Sequence, residues 1–143
     1  MIRNALVPCI LALAANCAFA QNDSPIGIWK TVDDETKKVN SEVKIEERGG
    51  QLYGTVIKIA NPAEQEKICD KCEDDRKDKK VIGMEIIRGL KKNGEVWDGG
   101  TILQPTTGRV FKSSIKLVDG GQKLEVKGSF LFISKTQTWI RGE

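Results

Sequence analysis

From residue 27 onward the chain alternates apolar and polar side chains over short stretches, each ended by glycine or another turn-forming residue. No helical apolar repeat is sustained, so the pattern predicts strands. The clearest case is 41–48, where Val43 and Ile45 fall on one face and Glu42, Lys44 and Glu46 on the other, the two-residue period of a strand with one dry side. Gly49-Gly50 offers the left-handed backbone of a tight turn, and 51–59 returns as the partner strand. Further strands are expected at 27–32, 84–90, 95–103, 109–117, 123–129 and 135–141, with turns at Asn93-Gly94, Thr107-Gly108 and Gly120-Gly121. The interval 61–80 differs: it is polar, carries Pro62, Cys69 and Cys72, and shows no alternation. It is expected as a long loop with one helical turn near 63–67. Eight or so antiparallel strands in up-and-down order remove their exposed edges by closing on themselves. The expected fold is therefore all-β, a barrel either filled by its side chains or wide enough for one small ligand.

The N-terminus follows another pattern. Met1-Ile2-Arg3 precedes an apolar run from Ala5 to Ala15 and the small-residue ending Ala18-Phe19-Ala20, the three parts of a signal peptide cleaved after Ala20. The run falls short of the ~20 apolar residues that span a bilayer. Asn16 stands where lipidation of Cys17 would want a small residue. Residues 1–20 are thus expected as a signal peptide and 21–143 as one barrel domain, exported to the periplasm or the exterior, with no transmembrane segment. Export bears on the cysteines, because an oxidising compartment favours disulfides.

Over the whole chain 23 Lys and Arg stand against 20 Asp and Glu, a formal charge of +3, and the leader takes only Arg3 from that balance. A nearly neutral domain lacks the concentrated basic face that nucleic acid requires. The chain contains no histidine, which removes Ser-His and Cys-His nucleophile pairs, imidazole acid-base work and the commonest zinc ligands. No enzyme activity, cofactor or resident metal is expected.

Two end motifs, Gly27-Ile28-Trp29 and Thr136-Gln137-Thr138-Trp139-Ile140-Arg141, carry a resemblance. In the lipocalin-like (calycin) superfamily a GxW opens the first strand, and an arginine of the last strand stacks on that tryptophan. Trp29 and Arg141 resemble this closing pair, a contact worth about 0.5–2 kcal/mol. Cys69-Asp70-Lys71-Cys72, the GMEIIRGL stretch at 83–90, Trp97-Asp98-Gly99-Gly100, Pro105 and Gly108 extend the likeness over the whole mature chain. The pattern resembles a bacterial family of small secreted proteins catalogued as a domain of unknown function. It departs at Ser134-Lys135, where that family has a Gly-Arg pair, and at Phe111, where tyrosine is common. The resemblance implies a lipocalin-like barrel with one long CxxC loop and an exported location, and it brings no activity.

Candidate chemistry is sparse. Cys69 and Cys72 could form a disulfide, a redox centre or part of a metal site. A redox pair wants cations that lower a thiolate pKa, whereas Asp70, Glu73, Asp74 and Asp75 crowd this one. Zinc would need carboxylates to complete its four ligands. The compartment favours the disulfide, which for so small a ring adds at most about 2 kcal/mol. The acidic runs 33–35 and 73–75 lack the spacing and central glycine of a calcium loop and are expected as solvated loops. Glu85 and Asp98 would act as a carboxylate pair only if the fold joined them. Along 109–117, Phe111, Ser113, Ile115 and Leu117 share a face, and the small Ser113 leaves a notch for packing or for a ligand.

Gly54, Val56, Val126 and Thr138 could border the same volume, with Trp97 and Trp139 as core anchors or mouth residues. The expected site is thus a barrel interior bounded by Gly54, Val56, Phe111, Ser113, Val126 and Trp139. Its occupant would be a small apolar or amphipathic molecule such as an acyl chain. Two other readings are an envelope interaction or stress-related scaffold acting through its outer surface, and a thiol oxidoreductase using Cys69 and Cys72.

Overall fold

The structure, a computed structural model, describes residues 23–142; the signal peptide expected at 1–20 lies outside them. Eight strands follow in chain order: β1 (Gly27–Val32), β2 (Val39–Arg48), β3 (Gln51–Ile59), β4 (Glu85–Asn93), β5 (Val96–Gln104), β6 (Arg109–Val118), β7 (Lys123–Phe130) and β8 (Ile133–Arg141). Each pairs with its neighbour in sequence, and β8 returns to β1, so the sheet closes into an antiparallel barrel. The closing seam is short, with Trp29 opposite Arg141 and Lys30 opposite Ile140.

Local chemistry explains the hairpins. Arg48 pairs with Gln51 across Gly49-Gly50, whose φ angles of 60° and 76° are the positive values a two-residue turn needs. Between β6 and β7, Ile115 faces Val126 and Leu117 faces Leu124, apolar pairs that fill a pleated inner face. The β7–β8 turn breaks this rule: Phe130 pairs with Ile133, leaving Leu131 and Phe132 as the turn, with Leu131 at φ 54°. A left-handed conformation costs a residue with a Cβ about 1–2 kcal/mol.

The core runs through the barrel, with Trp29, Val43, Ile45, Leu52, Ile87, Leu90 and Leu124 fully buried. At one end Arg141 closes it. Its guanidinium lies 4.3 Å from the centroid of the Trp29 ring. Its Nε donates to the Gly121 carbonyl at 2.8 Å, and its terminal nitrogens donate to those of Ser24 at 2.8 Å and Ile26 at 3.3 Å. The Trp29 indole N–H in turn donates to the Pro25 carbonyl at 2.8 Å.

The interval expected as a loop is a folded excursion. Pro62–Glu64 forms one 3-10 turn, capped by the Asn61 side chain. Farther on, Ile68 bridges Lys80. The Cys69 N–H donates to Lys79, and the Asp78 N–H to Cys69, both at 2.8 Å. A disulfide joins Cys69 to Cys72, and both cysteines are buried.

The acidic run 73–75 is not simply solvated. Asp74 accepts from the buried Arg76, at 2.5 Å from Nη2, and Arg76 also donates to the Glu85 carbonyl at 3.0 Å. Asp75 takes two 2.8 Å bonds from Arg88, whose Nε reaches Glu85 at 2.9 Å. The hydrogen bonds from Arg76 hold the Asp74 carboxyl at about 2, below its ordinary 3.8. Charge pairs spaced two to thirteen residues apart leave no periodic trace in a sequence.

Candidate functional site

At the end of the barrel away from the Trp29–Arg141 stack, residues of β1, β4, β5, β6, β7 and β8, with Pro105 of the β5–β6 turn, line a cavity of about 210 Å³. Trp139 and Val126 form its floor, and Ile86, Ile102, Leu103 and Phe111 its apolar walls. Thr31, Gln104, Gln137 and Lys135 add the polar atoms. Alternation along β8 turns Lys135, Gln137 and Trp139 inward in succession, and the Trp139 indole donates to Gln137 Oε1 at 3.3 Å. Gly128 lets the Phe111 ring fold across β7, because a Cβ there would press on Phe111 at 3.3 Å. At the rim, Lys135 Nζ lies 3.3 Å from Asp34.

The disulfide turn backs one side of this mouth. Cys69 Sγ sits 3.5 Å from the Pro105 carbonyl oxygen, a packing contact, since a disulfide sulfur has no proton to donate. A Cβ on Gly108 would overlap the Lys71 carbonyl. Only glycine lets the CxxC turn seat against the β5–β6 turn.

Of the residues expected from sequence, Phe111, Val126 and Trp139 border the cavity. Ser113 lies one step along β6 from Phe111, 5% exposed, between Gly100 on β5 and Gly128 on β7. Among the described residues its Oγ is the one buried side-chain oxygen without a hydrogen-bond partner. Gly54 and Val56 lie elsewhere: the Ile87 side chain fills the space above Gly54, and Val56 is packed in the core. Thr138 is exposed, because a shift of one residue along a strand exchanges inside for outside.

Trp97 is half-buried beside Lys92, Glu95 and Lys116, in a charged depression apart from the cavity. Glu85 is held by Arg48 and Arg88, whereas Asp98 accepts from Asn93 at 3.1 Å, so they form no carboxylate pair. Among the described residues no three potential metal ligands come together. The lining residues not singled out from sequence, Lys135 and Gln137 above all, share the parity of Trp139, and that parity was the available signal.

A closed eight-stranded antiparallel barrel, stoppered by an arginine–tryptophan stack and hollow at the other end, is a lipocalin-like fold. Among solved structures the chain is similar to protein HP1028 from the human pathogen Helicobacter pylori, described as belonging to the lipocalin family. The TM-score is 0.72, with 21% identity and 84% of each chain covered, a likeness of fold. By sequence the chain belongs to the DUF2147 family, described as uncharacterized proteins conserved in bacteria, whose profile matches residues 27–141. No curated protein matches the sequence.

Proposed function

We propose that this protein is an exported, non-enzymatic binding protein that holds one small apolar or amphipathic molecule in the open half of its barrel. The observation that carries this reading is the cavity of about 210 Å³, walled by Phe111, Val126, Trp139 and their aliphatic neighbours. For scale, an apolar cavity of about 150 Å³ takes up benzene, and pockets for larger ligands begin near about 300 Å³. The space suits a single ring or a short acyl chain. Gln104, Gln137 and Lys135 give a polar head somewhere to bond. The Lys135–Asp34 pair at 3.3 Å is exposed, worth about 1 kcal/mol or less, so a carboxylate head can displace Asp34 at small cost.

Support for export comes from the sequence of residues 1–20 and from the disulfide. Among the described residues no helix is long and apolar enough to cross a membrane. Cleavage after Ala20 predicts Gln21 as the first residue of the mature protein, readable from its intact mass. Burial of both sulfurs under the β5–β6 turn speaks against thiol exchange, and insulin reduction should stay at background.

The deciding experiment purifies the mature protein from its native compartment and compares native with denaturing mass spectra. A co-purifying mass lost on denaturation supports the reading and gives the class of ligand. A bare protein that also leaves a fluorescent fatty acid unbound would overturn it.

A further inference from the structure

The end of the β7–β8 hairpin consists of Phe130, Leu131, Phe132 and Ile133, with relative exposures of 43%, 83%, 102% and 64%. Four consecutive apolar side chains stand in water. The first turn residue, Leu131, is held at φ 54°, where hairpins ordinarily place glycine, asparagine or aspartate. Solubility and turn chemistry both select against these residues, so their presence requires something that receives them.

We propose that this tip inserts into an anionic phospholipid bilayer and holds the cavity mouth against the lipid surface. Shape favours a fluid acceptor. A convex tip of four side chains falls short of the roughly 800 Å² per partner of a stable protein interface, given about 150–250 Å² for each aromatic, whereas an interfacial anchor needs only an apolar wedge with cations behind it.

Those cations are present. Arg109 lies over the Phe130 ring, 5.6 Å from its centroid, and Lys112 stands opposite Ser129. Lys127 and Lys135 flank the tip on its own two strands, and neither 109–118 nor 126–142 contains an acid. The β1–β2 turn does bring acids to this end. Of these, Asp34 is paired with Lys135, and Asp33 keeps its charge while accepting the backbone N–H groups of Glu35 and Thr36, so the cations left beside the tip are Arg109, Lys112 and Lys127.

The tip is also continuous with the cavity. Phe130 meets Phe111 edge to face at 6.4 Å, and Phe111 and Lys135 both border the cavity. An apolar molecule can therefore pass from bilayer to barrel along Phe130 and Phe111 without crossing water. This passage rests on the binding function proposed above, whereas the docking does not.

The test is flotation of the mature protein with vesicles of phosphatidylglycerol and phosphatidylcholine, or of phosphatidylcholine alone. The variants are Phe132→Ser and the double substitution Leu131→Gly with Phe132→Asn, which supplies ordinary turn residues and should melt no lower than the parent. The parent is expected to float with the anionic vesicles at least threefold better than with the neutral ones, and the double variant to lose at least tenfold in partitioning. Absence of flotation by the parent overturns the proposal, as does undiminished flotation of the double variant. Tip-dependent self-association in sedimentation without vesicle binding also overturns it and makes a second copy the acceptor. Binding of the fatty-acid probe without vesicles is measured in parallel. A parent that floats yet binds no probe keeps the docking and loses the passage.

Discussion

Two side chains, the half-buried Arg141 and the buried Ser113, show how differently polar atoms behave in this barrel. Arg141 has its fork matched by three carbonyls and one indole face. Arg141→Ala should therefore cost about 1–3 kcal/mol in urea unfolding, since it empties the buried Gly121 carbonyl and uncovers Trp29. Arg141→Lys should recover only a part, because a single ammonium cannot reach all three carbonyls. Ser113 is the opposite case, an enclosed hydroxyl with nothing to bond. Ser113→Ala should leave the unfolding midpoint unchanged or raise stability by up to about 1 kcal/mol. A clear loss would mean that the hydroxyl has a partner, an ordered water or a bound molecule.

At the scale of the elements, the excursion between β3 and β4 is the part most exposed to acid. The Asp74 carboxyl is held at about 2 by Arg76, against an ordinary 3.8, and Arg88 lowers Asp75 in the same direction. A carboxylate with a depressed folded-state pKa contributes stability above its unfolded value and loses it as pH falls through the folded one. Melting temperature should thus decline between pH 4 and about 2 through Asp74. Asp74→Asn should melt lower than the parent at pH 7 and decline less steeply over that acid window. Equal melting at pH 7 would show that Arg76 is satisfied without Asp74.

These elements also mark where a sequence speaks and where it is silent. β1 and β3 have the expected bounds, because alternation and glycine turns are local signals. β8 starts two residues earlier than its pattern suggests, at Ile133, since cross-strand pairing with Phe130 prolongs it. That shift brings the apolar tip into view. Of the carboxylate–arginine pairs around 74–88, Asp75–Arg88 depends on contact between segments, and none follows a period that could be read.

For the whole molecule, the decisive quantity is the volume that eight inner faces together leave unfilled, a sum that no single strand carries. Alternation marks Phe111, Val126 and Trp139 as inward, but only the assembled registers show that Ile87 packs over Gly54 away from the cavity while Gly128, under Phe111, borders it. The cavity can be closed by design. Val126→Phe should cut fatty-acid probe binding at least tenfold and leave stability within about 1 kcal/mol of the parent, because the added ring goes into existing space. Probe binding that survives this change would place the bound molecule outside the barrel.

The seam between β1 and β8 has a consequence for the order of the chain itself. Trp29 pairs with Arg141, and the Gly142 N–H reaches the Ile28 carbonyl at 2.7 Å. The two ends of the described domain are therefore neighbours, joined by hydrogen bonds where each other adjacent pair of strands is also joined by a covalent connection. The strands form a cycle, and the break in that cycle can be moved. A circular permutant opened between the exposed Gly49 and Gly50, with a short glycine linker between 142 and 23, keeps every strand neighbour it had. It should fold to the same barrel with its first and last residues two strands farther round the ring.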